Sequence, residues 1–204
     1  MAARRRTYRS LACFALVALV AACAGTTESS RYYVLSPSLP DAERRADGPS
    51  VSIGPVTLPK YLDRPQVVTR PTPNQLDVSE FDRWGGRLED NVAQVVAEDI
   101  ARRLGTARVA VFPNEPTGRA DVRVAVTITR FERIGGEGEV ALDARWRITR
   151  PAAGPDAEPL RGNFSVTKRA AGSGYPPTVA AMSAALGDLS ATLADAVARS
   201  VRGS

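Results

Sequence analysis

The sequence predicts a single α/β domain, a mixed sheet of about six or seven strands with two principal helices packed on it. Period-two alternation runs from Asp121 to Phe131 and again from Val140 to Ile148, the mark of strands buried on one face. Apolar residues fall three or four apart from Arg87 to Leu104 and from Val179 to Val197, the mark of helices with one buried stripe. Between these segments lie short β-prone runs closed by proline and glycine, with no further helical pattern.

The chain opens on Arg4, Arg5, Arg6 and Arg9, followed by an apolar run from Leu11 to Val20. Such a run is too short to span a hydrocarbon core of about 30 Å, which takes roughly 20 residues. It fits the central region of a secretory signal peptide. Val20-Ala21-Ala22-Cys23 comes next. Small residues there let an extended backbone enter a peptidase cleft, and the thiol accepts diacylglycerol. The segment resembles the lipobox of bacterial lipoproteins, making residues 1–22 a signal peptide and Cys23 the lipidated residue. Arg5-Arg6-Thr7-Tyr8 bears only a loose likeness to a twin-arginine signal. Residues 24–30 are small and polar, so residues 23–30 read as anchor and flexible tether, with a span of about 15 Å. The globular domain is expected over residues 31–204.

Removing that leader changes the meaning of the charge. The whole chain has 27 Lys and Arg against 22 Asp and Glu and a pI near 9.7. Four of the arginines and no acid lie in the leader, leaving 23 against 22, a net charge of +1. Nucleic acid is therefore not an expected partner. Cys13 leaves with the leader, so no disulfide can form within the mature chain. The sequence contains no histidine, which excludes Ser-His-Asp and Cys-His nucleophiles and His-containing zinc sites. Neither a metal nor a cofactor is expected, and no catalytic residue is assigned. The remaining chain of about 180 residues suits one domain.

Within that domain, Tyr32 to Leu35 and Val51 to Val56 read as strands separated by a proline-containing loop over residues 37–50. Pro65 to Arg70 is a third strand, and after Pro71-Thr72-Pro73-Asn74 the run Gln75 to Val78 is placed to pair with it as a hairpin. In the first helix, Arg102 and Arg103 suit the negative end of the dipole and Gly105 the stop. Val109 to Phe112 is another short strand. Gly135-Gly136-Glu137-Gly138 lies between two strands and not before a helix, so it is a hairpin turn and not a phosphate loop. With Leu160 to Lys168 it completes a three-stranded meander over residues 121–168. The C-terminal helix follows Pro176-Pro177-Thr178 and carries Ala and Ser on its other face, suited to a close neighbour within the domain or in a second subunit.

Carboxylates crowd between Asp63 and Asp90, including Asp77, Glu80, Asp82 and Glu89, but no spacing selects an acid pair. Capping, solvation and partner contacts account for them. Tyr61, Arg64, Arg70, Phe81, Arg83 and Trp84 supply the aromatic and arginine types found at interface hot spots. Of these, Tyr61, Arg64, Arg70 and Trp84 are the expected partner-binding residues, with packing of Tyr61 and Trp84 over the sheet as the competing reading.

The stretch Gly54-Pro55-Val56-Thr57-Leu58-Pro59-Lys60-Tyr61-Leu62-Asp63-Arg64-Pro65-Gln66-Val67-Val68-Thr69-Arg70, continued by Glu80-Phe81-Asp82-Arg83-Trp84 and Leu88, resembles the PqiC family, also called ABC-type transport auxiliary lipoproteins. Trp84-Gly85-Gly86-Arg87 departs from the family's usual pattern and puts the helix start in doubt. The resemblance implies a non-enzymatic, periplasm-facing accessory of MCE-type systems that move lipid between membranes. Its implied partners are an MCE-domain protein and ABC transport components, with ring-like self-association as an inference. Ala24 rather than Asp after the lipidated cysteine favours the outer membrane by the bacterial sorting rule. Whether the domain holds phospholipid itself stays open, because a cavity and a dry core have the same composition. Two other classes stay open as alternatives: a structural envelope lipoprotein assisting an outer-membrane assembly, and an envelope hydrolase.

Overall fold

The protein is described from a computed structural model over residues 28–43, 48–113, 120–136, 138–154 and 156–202. The signal peptide, Cys23 and the first part of the tether lie outside the described residues. In chain order the elements are β1 (Arg31–Tyr33), β2 (Val51–Thr57), β3 (Gln66–Thr72), β4 (Gln75–Trp84), α1 (Leu88–Leu104), β5 (Val109–Val111), β6 (Val122–Ile134), β7 (Glu139–Thr149), β8 (Leu160–Arg169) and α2 (Tyr175–Arg202). A 3-10 turn over Lys60–Leu62 precedes β3.

The sheet is organised around β6, whose 13 residues give it room for three neighbours. One edge pairs antiparallel with β7 from Arg123 to Ile134. The other edge is divided: β2 lies parallel along Val122 to Thr127, and β3 lies parallel at Arg133 and Ile134. The sheet then branches. From β2 it runs on to β5, in parallel pairing; from β3 it runs to β4, antiparallel, and on to β1, parallel. β8 closes the far side against β7. The three-stranded meander and the hairpin read from the sequence are both present.

Both helices pack on one face of this sheet, α1 over β2 and β5, α2 over β7 and β8, and against each other. Val92, Val96 and Ile100 of α1 and Leu186, Leu189, Leu193 and Val197 of α2 are fully buried against Ile53, Val124, Phe131 and Leu142 of the strands. The helical spacing therefore marks the core side of each helix. The small-residue face of α2 is buried too. Ser183, Ala185, Ser190 and Ala194 are enclosed within the domain, and a side chain at Gly187 would strike Ser38.

Ser38 belongs to a strap, residues 34–39, that leaves β1 and crosses the helices. Asn91 of α1 accepts the Leu35 N–H at 2.7 Å, and Ser183 of α2 accepts the Ser36 N–H at 3.1 Å. Asp99 of α1, fully buried, accepts both the Ser38 and Leu39 N–H groups at 2.9 Å with one oxygen. Burial raises the Asp99 carboxyl above the usual carboxylate range.

Three sequence expectations are refined. Among the described residues the strands number eight, against about six or seven expected, because the Gln75 run is a full member of the sheet and extends to Trp84. The first helix begins at Leu88, with Arg87 at its cap making no side-chain cap bond. It ends as expected at Gly105, in the left-handed conformation with φ of 63°. The second helix begins earlier, at Tyr175, with Pro176 and Pro177 in the first turn, where a missing N–H costs no helical bond.

Candidate functional site

The face of the sheet turned away from the helices carries Glu132, the buried group that gathers two of the sequence-predicted site residues, and a bulge puts it there. β6 alternates cleanly up to Ile128, all its even positions facing the helices. The register with β7 then slips between Ile128 and Arg130. A one-residue bulge reverses which face each later side chain meets. Phe131 therefore enters the helix-side core, Arg133 lies 5.7 Å from the Tyr175 ring of α2, and Glu132 turns to the other face.

Glu132 is fully buried there, beneath Tyr61 of the 3-10 turn and Arg70 of β3. The Tyr61 hydroxyl donates to Oε2 at 2.8 Å, Arg70 Nε donates to Oε1 at 2.7 Å, and the Phe131 N–H donates to Oε2 at 3.1 Å. The guanidinium also lies over the Tyr61 ring, 5.2 Å from its centroid, and donates to the Pro73 carbonyl at 3.2 Å. Burial, then the bond to Glu132, raises the Tyr61 hydroxyl above its ordinary value; the same carboxylate raises Arg70. A buried carboxylate needs such donors to stay charged without a large penalty. These contacts fix Tyr61 and Arg70 as walls of an open recess of about 550 Å³, closed by Pro73, Thr129, Arg130 and Ile134.

A second buried carboxylate holds the N-terminal strand. Asp82 of β4 accepts from Arg31 through Nε at 2.8 Å and Nη2 at 3.1 Å, from the Tyr33 hydroxyl at 2.8 Å and from Ser79 Oγ at 2.8 Å. The paired guanidinium holds its carboxyl well below the usual range, at about 2.

Of the four expected partner residues, the structure unites two. Tyr61 and Arg70 share the recess. Arg64 is exposed in the turn before β3 and does not line it. Trp84 follows the competing packing reading: only 5% exposed, it packs in the core, and its backbone N–H donates to the Pro65 carbonyl at 2.7 Å. It offers a partner almost no surface. Glu132 and the Arg31–Asp82 pair were not singled out from the sequence. The available signal for Glu132 was the break in alternation after Ile128, which marks the bulge. Asp82 was grouped with solvated acids, and only its pairing across to β1 distinguishes it. Among the described residues, no three His, Cys, Asp or Glu side chains gather as metal ligands.

Fold and site together define an open-sheet α/β domain with two helices on one face and, on the other, a recess walled by a tyrosine and an arginine. The chain belongs to the ABC-type transport auxiliary lipoprotein component family, whose model matches residues 33–194. That description is of an auxiliary component and not of a known enzyme family. Two solved structures share the fold: an uncharacterized protein, 20% identical, TM-score 0.68, covering 83% of this chain and 99% of its own; and a Xanthomonas campestris protein of the DUF330 family, 17% identical, TM-score 0.65, covering 81% and 93%. No curated protein matches the sequence.

Proposed function

We propose that this chain is a non-enzymatic lipoprotein subunit of an MCE-type intermembrane lipid transport system, anchored through Cys23 and linking the MCE assembly to the membrane. The observation that carries the reading is the family match over residues 33–194, supported by the resemblance of Val20-Ala21-Ala22-Cys23 to a lipobox. The anchor is assigned to the outer membrane, from Ala24 after the cysteine. The partner contact is assigned to Tyr61 and Arg70 in the recess and to exposed Arg64 beside it. The hydrogen bonds from Tyr61 and Arg70 to buried Glu132 support this, since a preorganised surface loses little freedom on binding. Ring-like self-association belongs to the same reading.

The test is copurification of the membrane-extracted chain with an MCE-domain protein encoded beside it. Arg64→Ala combined with Arg70→Lys is expected to abolish recovery of the partner while leaving the domain folded by circular dichroism. Cys23→Ser is expected to release the protein from outer-membrane fractions. Unchanged copurification sinks the partner assignment, and Cys23→Ser that still sediments with envelopes sinks the anchor.

A further inference from the structure

The same face of the sheet that bears the recess carries, at its other end, a cluster of exposed arginines. Odd-numbered residues of β7 and β8 point away from the helices, as do Arg123, Ala125 and Thr127 of β6. The register sets Arg147 directly opposite Arg161, diagonal to Arg123 and two residues from Arg145. All four are exposed. Like charges facing one another across strands are destabilising, so the arrangement works against folding and calls for an anionic ligand.

Among the described residues, carboxylates leave Arg145 and Arg147 of this cluster unpaired. Asp143, the acid next along β7 on this face, is engaged by Arg130 at 2.8 Å and by Ser165 at 2.6 Å. Glu158 reaches Arg161 only at 3.5 Å and is 90% exposed. Among the described residues, no ion pair involves Arg145 or Arg147. Beside the cluster, a shallow recess of about 230 Å³ lies between Arg123, Arg147, Thr149 and Phe112. Phe112 is 52% exposed on this side of the sheet, against Gly54.

We propose that this open face docks on an anionic phospholipid surface, with Arg145, Arg147 and Arg161 against the phosphates and Phe112 at headgroup depth. Charge complementarity names an anionic occupant, and the make-up of the face selects a lipid surface over an acidic protein. A protein interface has an apolar centre and a polar rim. Here the centre is arginine and threonine, and Phe112, the large apolar group of this face among the described residues, stands at the margin, the arrangement of an interfacial anchor. Bidentate arginine also matches phosphate geometry. The proposal does not depend on lipid at Cys23.

Residues 28–204 are suited to the test, since the described elements enclose one core and a solved relative aligned over 99% of its own chain has this fold without further segments. That piece is sedimented with phosphatidylcholine vesicles, with and without phosphatidylglycerol, at low and high salt. Binding is expected only with phosphatidylglycerol and only at low salt. Each arginine removed is expected to weaken it roughly fivefold, so Arg145→Gln with Arg147→Gln loses about 25-fold. The thermal midpoint of that variant is expected not to fall, because the opposed charges are relieved; this separates lost binding from lost folding. Absence of phosphatidylglycerol-dependent sedimentation overturns the proposal and gives the face to an acidic protein. Equal binding by the double variant overturns it as well.

Discussion

Two carboxylates in this domain are held by the same chemistry, an arginine and a tyrosine each, yet they do different work. Glu132 is fully enclosed under Tyr61 and Arg70, and that arginine is itself only 23% exposed. Asp82 is equally hidden, but its arginine, Arg31, is 54% exposed and belongs to the first strand of the domain. The first group holds shape in the middle of the sheet, where three strands meet. The second ties the end of the chain that leads to the tether onto the edge strand β4. The difference lies in what surrounds the cation: a desolvated arginine makes its carboxylate indispensable, whereas one in water leaves its carboxylate a supporting clamp.

The strongest way to break this comparison is Glu132→Ala. Removing one partner from a buried pair leaves the other cation and two further donors without an acceptor, and a loss of about 3 kcal/mol is expected. Urea unfolding monitored by circular dichroism measures it. A loss near zero means the recess is held by the strands alone and Glu132 is dispensable. At Asp82 the same removal is expected to be milder, about 2 kcal/mol for Asp82→Asn, because Arg31 returns to water.

Acid sharpens the second half. The Asp82 carboxyl is held at about 2, below its ordinary 3.8. A carboxylate with a depressed folded-state value contributes its stability above the unfolded value and loses it as pH falls through the folded one. The gap between wild type and Asp82→Asn is thus expected to be full above pH 4 and to close progressively toward pH 2, as followed by urea midpoints across that range. A gap constant through the window removes the ion pair as its cause.

How these two groups stood in the sequence is instructive. The helical stripes around Val92 and Leu189 and the alternation from Val122 to Ile128 were readable because burial repeats with the period of the element. So was the hairpin at Pro73, set by turn chemistry. Strand order was not readable, because β6 divides one edge between β2 and β3, and that division depends on contacts between residues more than 60 positions apart. Glu132 was hidden for a related reason: the bulge after Ile128 shifts the phase, so a charged residue next to Phe131 is buried on the opposite face. For Trp84 both readings stood in the sequence, because a tryptophan in such a run has the same composition whether it meets a partner or the core. Only the pairing of β4 with β1 and β3 decides it.

The smallest effects come from the tyrosines, and they probe the comparison without disturbing either charge. Tyr61→Phe takes one of two donors from Glu132 Oε2, leaving the Phe131 N–H. Tyr33→Phe takes one donor from Asp82, which keeps both bonds from Arg31 and one from Ser79. A hydrogen bond to a charged acceptor contributes about 1.5 kcal/mol. Tyr61→Phe is expected to reach that value, because no water replaces the lost donor at a fully buried carboxylate. Tyr33→Phe is expected to fall near 0.5 kcal/mol, since the remaining donors keep the Asp82 charge compensated. Thermal midpoints of the two variants, compared side by side, check the order. A larger loss at Tyr33 than at Tyr61 reverses the ranking and makes the mooring of the first strand, rather than the recess, the part of the sheet most dependent on its tyrosine.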